Sequence, residues 1–477
     1  MTLHVLIVED DDDFVDELRE TITALSGNWD IRVAVGRDQA YEMLEDGFLD
    51  LVILDLKIPT VSRALDADPE HGHAVFNRIR TVAPGTPIFV LTGSPAEDFL
   101  SDLVMKNQQQ IDIWSEGRKT QTILFLKKYN IDKFPGILAP VAQAIEGLSD
   151  VELERGGLNL SLAEDRLIRI FAKKFQGVRC VVSGLGGGLS GARVIRLRVT
   201  DSQGVQVHDA VAKLSTPADV RREGDCYDNH VTRLAPAATP RKLAILEFGA
   251  HKLAGIFFGL LANDFDESAF DVAANKPERS ESVIRNVEAA TAPWTEGVPE
   301  TRRTIRQIRQ RLLSDESLDQ IRNTFGLDWI QDFESREIQA RWGCSHGDLH
   351  GCNLLVSPTD TALIDYGDVG EGPASLDPVT LELSLLFHPD APDTAGAWPS
   401  AEQASAWGDL DAYLADCPFS QFVSECRAWA LRVAAGRREV AASAYSYLVR
   451  QLRYGDTNKD RAISLLDGVR SFYDRST

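Results

Sequence analysis

The chain is short of positive charge. It carries 50 Lys and Arg against 72 Asp and Glu, a formal net charge of -22. That balance opposes non-specific attraction to phosphate backbones, so no nucleic-acid partner is expected. It also lacks paired cysteines. The six stand at positions 180, 226, 344, 352, 417 and 426, with no C-x-x-C pair and none in the N-terminal third, which predicts reduced, intracellular thiols rather than a disulfide framework. No apolar run approaches the roughly 18 residues of a membrane-spanning helix, so no membrane partner is expected. The start, Met1-Thr2-Leu3-His4-Val5-Leu6-Ile7-Val8, has no basic segment ahead of its apolar one; it reads as a strand and not a signal peptide, and a cytoplasmic protein is expected. At 477 residues the chain exceeds one ordinary core and predicts two or three domains.

What is present begins with an alternation of strands and helices. His4-Val5-Leu6-Ile7-Val8 is a buried-strand run ending in Glu9-Asp10-Asp11-Asp12-Asp13, and Phe14, Leu18 and Ile22 follow at helical spacing. Ile31-Arg32-Val33-Ala34 makes a second strand, residues 40–44 a second helix, and Asp50-Leu51-Val52-Ile53-Leu54-Asp55 a third strand closing on a carboxylate. A fourth strand, residues 87–93, ends at Thr92, and a fifth, residues 122–128, ends on Lys127 and Lys128. Such alternation predicts a parallel, doubly wound sheet, whose ligands sit beyond the carboxyl ends of the strands. Glu9, Asp10 and Asp55 together can hold a divalent cation there. The cation and a lysine can neutralise a phosphoryl group, toward which Asp55 can act as nucleophile. Asp11 to Asp13 read as a solvated helix start favoured by the helix dipole.

Residues 1–145 resemble the receiver domain of bacterial response regulators. The resemblance implies Glu9 and Asp10 as Mg²⁺ ligands beside Asp55, the phosphoacceptor, with Thr92 the switch hydroxyl and Lys128 the phosphate-binding amine. Lys127 is the rival for that last role, because Tyr129 stands where a proline usually follows the lysine. Two insertions flank the site: residues 60–71 lengthen the loop before Gly72 opens the next helix, and a second stretch between Thr92 and Lys128 replaces the usual short helix and turn.

Residues 135–148 read as the last receiver helix and residues 149–160, with Gly156-Gly157, as a hinge. Ser161 caps a helix carrying Leu167, Ile170 and Phe171 on one stripe, able to pack on either neighbour and so to couple them. Next comes the run Gly184-Leu185-Gly186-Gly187-Gly188-Leu189-Ser190-Gly191, with strand patterns on both sides. A dinucleotide fold would need a helix after these glycines, so they read as a flap whose amides cover nucleotide phosphates. The strand ending Val211-Ala212-Lys213 presents a lysine one position earlier than V-A-x-K. Thr216-Pro217-Ala218-Asp219 starts a helix, on which Glu223 is the candidate partner of Lys213, with Asp225 and Asp228 as rivals. Residues 243–248 and 256–261 read as further strands, and residues 262–264 as a hinge between lobes. From Ser280 onward the pattern is helical and polar, with Arg302, Arg303, Arg306 and Arg309 on a solvated face.

The second motif is His346-Gly347-Asp348-Leu349-His350-Gly351-Cys352-Asn353, followed by Ile364-Asp365-Tyr366-Gly367-Asp368. Asp348 and Asn353 stand in D-x-x-x-x-N, which puts a carboxylate and a carboxamide in one loop while an apolar strand end delivers Asp365. This resembles the aminoglycoside phosphotransferase and choline kinase branch of the kinase-like superfamily. The resemblance covers residues 165–477 and implies Asp348 as catalytic base and Asn353 and Asp365 as Mg²⁺ ligands. It also implies a nucleotide (ATP or GTP) gripped by Gly186, Gly188, Ser190, Gly191, Lys213 and Glu223. Asp368 reads as a solvated extra carboxylate, and Asp377 as a brace for the catalytic loop. From there to Tyr473 the pattern is helical, without repeats.

The expected fold is therefore an α/β, doubly wound parallel five-stranded receiver (flavodoxin-like) domain plus an α+β two-lobed protein-kinase-like domain. The expected boundaries are 1–147 for the receiver, 148–165 for a linker, 166–266 for the small lobe and 267–477 for the helical lobe. The expected function is a two-component signalling protein whose receiver, phosphorylated on Asp55 by a sensor histidine kinase or other phosphodonor, controls a phosphotransferase acting on a hydroxyl of an unidentified acceptor. A catalytically inactive nucleotide-binding adaptor, a phosphate sink and a homodimer formed through the receiver stay open.

Overall fold

The computed structural model describes residues 1–25, 27–93, 110–185, 192–261, 265–393 and 398–476. They form two compact units, one of Met1–Arg222 with Lys242–Leu260 and one of Glu223–Arg241 with Leu261–Thr477. Among the described residues no helix is long and apolar enough to cross a membrane.

The first unit opens with β1 (Thr2–Val8), β2 (Asn28–Ala34), β3 (Leu51–Asp55), β4 (Ile88–Thr92), the hairpin β5 (Gln110–Ile111) and β6 (Thr120–Gln121), and β7 (Ile123–Lys127). Five of them make a parallel sheet in the order β2-β1-β3-β4-β7. Strands covered on both faces need unbroken apolar runs rather than alternation, and every residue of β3 is buried. Helix α1 (Asp12–Thr23) buries Val15, Leu18 and Ile22, and Asp11 caps it by accepting the Asp13 and Phe14 N–H groups. The acidic run thus divides: Asp11 to Asp13 serve the helix start, and Glu9 and Asp10 stay with the strand.

Helix α2 (Arg37–Glu45) follows, then α3 (Pro69–Val82). The latter opens earlier than the expected Gly72, because Asp68 caps it and Pro69 fits a first turn that has no use for an N–H. Gly72 answers a different need, since a Cβ there would stand 2.2 Å from the Leu56 carbonyl oxygen. The inserted loop is tied back by a bridge between Ile58 and Asp68.

After α4 (Phe134–Glu146) the stretch expected as a hinge supplies β8 (Glu152–Glu154). This strand runs parallel to β9 (Arg179–Gly184), at the edge of a sheet completed by β10 (Arg193–Thr200), β11 (Gln206–Ser215), β12 (Lys242–Leu246) and β13 (Ala254–Gly259). The order is β12-β13-β11-β10-β9-β8. Helix α5 (Leu162–Lys174) begins with a capping box of Ser161 and Glu164. One hydrophobic core runs from Leu3, Val5 and Ile7 of β1, through α4 and α5, to Val182, Leu197, Ala212 and Phe257 of the six-stranded sheet. Polar contacts reinforce it. Arg166 of α5 grips Asp50 through Nε–Oδ1 (2.9 Å) and an Nη2–Oδ2 bond (3.0 Å), and donates to the Thr2 carbonyl (2.8 Å), with both side chains buried. The Gly85 N–H donates to the His251 carbonyl (2.8 Å) and the Gly249 N–H to the Gly85 carbonyl (2.9 Å).

Helix α6 (Pro217–Asn229) carries the chain into the second unit. That unit is mainly helical: α7 (Ala269–Asn275), α8 (Ser280–Thr295), α9 (Ile305–Arg309), α10 (Asp315–Phe325), α11 (Ile330–Glu334), α12 (Leu376–Phe387), α13 (Ala401–Ser405), α14 (Leu410–Tyr413), α15 (Ser420–Val433), α16 (Arg437–Gln451) and α17 (Lys459–Arg475). Two small sheets interrupt it, β14 (Glu267–Ser268) with β17 (Leu354–Val356) and β18 (Thr361–Leu363), and β15 (Glu300–Thr304) with β16 (Glu337–Ser345) and β19 (Gly370–Pro373). The arginine-rich stretch departs from expectation. Arg302 and Arg303 lie on a strand, not a helix, and Arg309 is buried, its guanidinium bonded to Glu334 (2.7 and 2.8 Å) and Asp315 (2.7 Å). A guanidinium so enclosed is a packing element, because burial is tolerated only with its charge and donors matched.

Candidate functional site

The first unit gathers an acidic cluster at the carboxyl ends of β1 and β3. Glu9 and Asp55 are buried, Asp10 is exposed, and carboxylate oxygens of the three lie within 4.8 Å of one another. Lys128 enters from the end of β7, its Nζ 2.7 Å from Glu9 Oε2 and 2.8 Å from Asp55 Oδ2. Lys127 instead lies over the Tyr129 ring, its Nζ 5.8 Å from the centroid, so of the two lysines it is Lys128 that meets the carboxylates. Thr92 is described here only as the last position of β4, paired in register with Lys127.

Three carboxylates against one ammonium leave an excess of negative charge. Burial, reinforced by the charge of Asp55, raises Glu9 from 4.5 to about 7, and Asp10 is raised by burial and then by Asp55. For Lys128 burial acts to lower, but Asp55 and Glu9 outweigh it and the ammonium form is favoured. Hard oxygen donors packed this closely, with surplus charge, fit Mg²⁺, which takes carboxylate oxygens and completes its shell with water and phosphate oxygens.

The second unit builds a loop between β16 and β17. Asp377, at the start of α12, is buried, and its carboxylate accepts the N–H groups of His346 (2.7 Å) and Gly347 (3.1 Å). Gly347 has φ of 83°, and a Cβ there would stand 2.5 Å from the Asp368 carbonyl oxygen, so only glycine suits the turn. The buried His346 ring reaches the Ile364 carbonyl through Nε2 (3.0 Å). The Ile364 N–H donates to the Asn353 carbonyl (3.0 Å), and Leu354 pairs with Leu363. Asn353 and Asp365 therefore flank the open end of one short hairpin. Asp365 adopts φ of 65°, a conformation uncommon outside glycine and often found at working sites.

The Asn353 amide nitrogen donates to the Asp348 carbonyl (2.9 Å); a carbonyl can only accept, so the Asn353 Oδ1 is left for another partner. One carboxamide oxygen and one carboxylate beside a turn fit Mg²⁺ in a site completed by waters and phosphate. Asp348 itself is half-buried. Arg450 of α16 donates to its Oδ1 (2.9 Å), and His350 Nε2 lies 3.8 Å from its Oδ2. Burial would raise Asp348, but Arg450 first and His350 next hold it below the ordinary value. Arg450 carries no motif and lies 102 residues along the chain; the sequence offered no signal for it.

Lys213 sits in the middle of the six-stranded sheet, in register with Val194 and Ile256. Glu223 is buried on α6, whereas its rivals Asp225 and Asp228 are exposed, and the Tyr366 N–H points at Glu223 Oε1 at 3.5 Å. Asp368 is exposed, as expected. Gly186, Gly188, Ser190 and Gly191, and the hinge at 262–264, lie outside the described residues.

The strand order 2-1-3-4-5 of the parallel sheet is that of the flavodoxin-like fold. Residues 5–110 match the family described as Response regulator receiver domain. No curated protein matches the chain. Among solved structures it is similar to the amicoumacin kinase hAmiN in complex with AMP-PNP, Ca²⁺ and Ami, at 12% identity over 62% of this chain and 88% of that one, with a TM-score of 0.33. An aminoglycoside phosphotransferase, APH(3'')-Id, from Streptomyces rimosus is 17% identical over 56% of this chain and 91% of its own, at 0.31. A CheY-like receiver domain protein from Methanospirillum hungatei is 15% identical over 31% of this chain and 99% of its own, at 0.23.

Proposed function

We propose that the chain is a two-component signalling enzyme in which phosphorylation of Asp55 controls a Mg²⁺- and nucleotide-dependent phosphotransferase. The observation that carries the catalytic half is the gathering of Asp348, Asn353 and Asp365 by one loop and the base of one hairpin, held by the Asn353 side-chain amide on the Asp348 carbonyl and by the Ile364 N–H on the Asn353 carbonyl. Asp348 orients the acceptor hydroxyl and takes its proton as the oxygen attacks the terminal phosphorus of ATP or GTP and the nucleoside diphosphate leaves. Asn353 and Asp365 hold Mg²⁺, which when bound neutralises charge on the transferring phosphoryl group. Lys213, Glu223 and the loop of Gly186, Gly188, Ser190 and Gly191 are the residues assigned to the nucleotide.

In the receiver, a carboxylate oxygen of Asp55 attacks the phosphorus of a phosphohistidine on a sensor kinase, releasing the imidazole and forming an acyl phosphate. Glu9, Asp10 and Asp55 hold the cation there, and Lys128 pairs with the incoming charge while Thr92 answers it. Phosphorylation adds roughly 1.5 to 2 negative charges. The continuous core from β1 to the six-stranded sheet supports control of the second half by the first, since a shift in the receiver has packed side chains to act through. The acceptor is a hydroxyl of a small molecule or protein.

The test is a screen of labelled ATP and GTP against hydroxylated amines and cell extract, beside Asp348→Ala. Label transferred by the native chain and lost in the variant supports the reading. Equal turnover with and without beryllofluoride on Asp55 would sink the regulatory half. One observation favours a second reading, a nucleotide-binding adaptor: the Arg450 guanidinium holds Asp348 Oδ1 and lowers the basicity of the carboxylate. Nucleotide binding with no transfer to any acceptor, unaltered by Asp348→Asn, would favour that second role.

A further inference from the structure

Three side chains that phosphotransfer does not use converge beside Asp348. Ligand atoms of His350, Cys352 and His388 all lie within 4.8 Å of one another. The first two flank Gly351 in the catalytic loop, and the third is the residue that ends α12. Packing explains their meeting. Gly351 rests on Phe270, where a Cβ would stand 2.2 Å from the ring, and the Phe270 ring is itself 5.5 Å from that of His388. The His350 and His388 rings lie 4.0 Å apart.

One polar atom of the three is left over. His350 Nδ1 is buried without a hydrogen-bond partner, an arrangement that costs free energy unless something else uses the lone pair. His350 Nε2 lies 3.8 Å from Asp348 Oδ2. His388 Nδ1 has the Asp390 N–H at 3.1 Å and the Asp390 carboxylate at 4.0 Å. Two imidazoles and a thiol are the wrong donors for Mg²⁺, which takes oxygen, and the right ones for zinc. Tetrahedral Zn²⁺ with bonds of about 2.0–2.3 Å sets its donors roughly 3.3–3.6 Å apart, so the three need to close by no more than about 1.5 Å.

We propose that His350, Cys352 and His388 form a zinc site with an open fourth position. The Cys352 thiol gives its proton to solvent on binding and the imidazoles bind neutral. His350 ligates through Nδ1 and leaves its Nε2–H to Asp348, while His388 ligates through Nε2 once its Nδ1 gives up the Asp390 N–H it accepts (3.1 Å) and turns an Nδ1–H to the Asp390 carboxylate, 4.0 Å away. From 3.8 and 4.0 Å each pair closes to hydrogen-bond distance as the metal binds, giving the carboxylate–histidine–zinc arrangement that fixes a ligating ring. With Arg450 already on Oδ1, both oxygens of Asp348 are then engaged. Resting on the phosphotransfer reading, bound zinc therefore inhibits transfer.

The test uses the full chain in excess Mg²⁺, which fills the oxygen-donor sites, with Co²⁺ as the probe. One equivalent of Co²⁺ is expected to give a thiolate-to-cobalt charge-transfer band with tetrahedral d–d intensity, bleached by added Zn²⁺. The band should vanish in Cys352→Ser, persist in Cys417→Ser, and require about tenfold more Co²⁺ or greater in His388→Gln. Circular dichroism of each variant keeps loss of fold separate from loss of ligand, and the two loci give independent readouts. Absence of the band in the folded native chain, or its survival in Cys352→Ser, overturns the site. Because the spectra do not require turnover, a chain that binds Co²⁺ but transfers no phosphate leaves the zinc site standing and removes only the enzymatic reading. A transfer rate indifferent to one equivalent of Zn²⁺ removes the inhibition.

Discussion

Glu9→Gln should stabilise the receiver, and only above mildly acidic pH. Glu9 is 2% exposed, and its proton affinity rises from 4.5 to about 7 on folding, because burial and the Asp55 carboxylate both disfavour the anion. A group raised in this way adds no penalty below pH 4.5, where it is protonated in both states. Between pH 4.5 and about 7 the folded chain holds a proton that the unfolded chain releases, so stability falls with rising pH. Above that window the full cost is felt, about 3 kcal/mol at 1.36 kcal/mol per pH unit. Glutamine carries no charge and keeps one oxygen, enough for Lys128, which reaches Glu9 Oε2 at 2.7 Å, while the longer bond from the Asp11 N–H to Oε1 (3.2 Å) is given up. With metal chelated, the expected gain is about 1–3 kcal/mol at pH 8 and close to nothing at pH 4.5. Pulse-labelling hydrogen exchange along a urea series, read on peptides covering β1 and β3, isolates the receiver from the rest of the chain. An equal gain at both pH values, or a loss at pH 8, would refute the reasoning.

Three further outcomes are expected. Arg166→Met strands the buried Asp50 charge and should cost about 3–5 kcal/mol in urea unfolding, most of it recovered when Asp50→Asn is added. Arg450→Met removes the cation that holds Asp348 below its ordinary value, so the acid limb of the transfer rate should move to higher pH; an unmoved limb would sever Arg450 from Asp348. Gly72→Ala puts a methyl group 2.2 Å from the Leu56 backbone and should lower the receiver's unfolding free energy by about 1–3 kcal/mol or more, read in the same exchange experiment.

The strands of the parallel sheet and the two short motifs were legible because their signals are local: unbroken apolar runs ending on acids, and a D-x-x-x-x-N spacing within one loop. The Asp68-Pro69 start of α3 was legible in principle, since a cap followed by proline is a helix signal, but the glycine three residues on drew the boundary away. Arg166 with Asp50 and Arg450 with Asp348 join residues 116 and 102 positions apart, and no periodicity encodes such a meeting. Strand β15 hid because Glu300-Thr301-Arg302-Arg303-Thr304 is polar on both faces and takes its form from pairing with β16. His388 gave no cue for a similar reason: it is an ordinary helix-end residue until Gly351 and Phe270 bring the loop to it.

A continuous interior from β1 to the six-stranded sheet has a consequence at the bench. Modular regulators are usually shortened by deleting the sensory part and assaying what is left. Here such a truncation would cut through packed hydrocarbon and orphan a guanidinium, so a fragment starting after α4 should come out insoluble. Silence from that fragment would say nothing about signalling. The informative comparison keeps every residue and edits single atoms, as Asp55→Asn does.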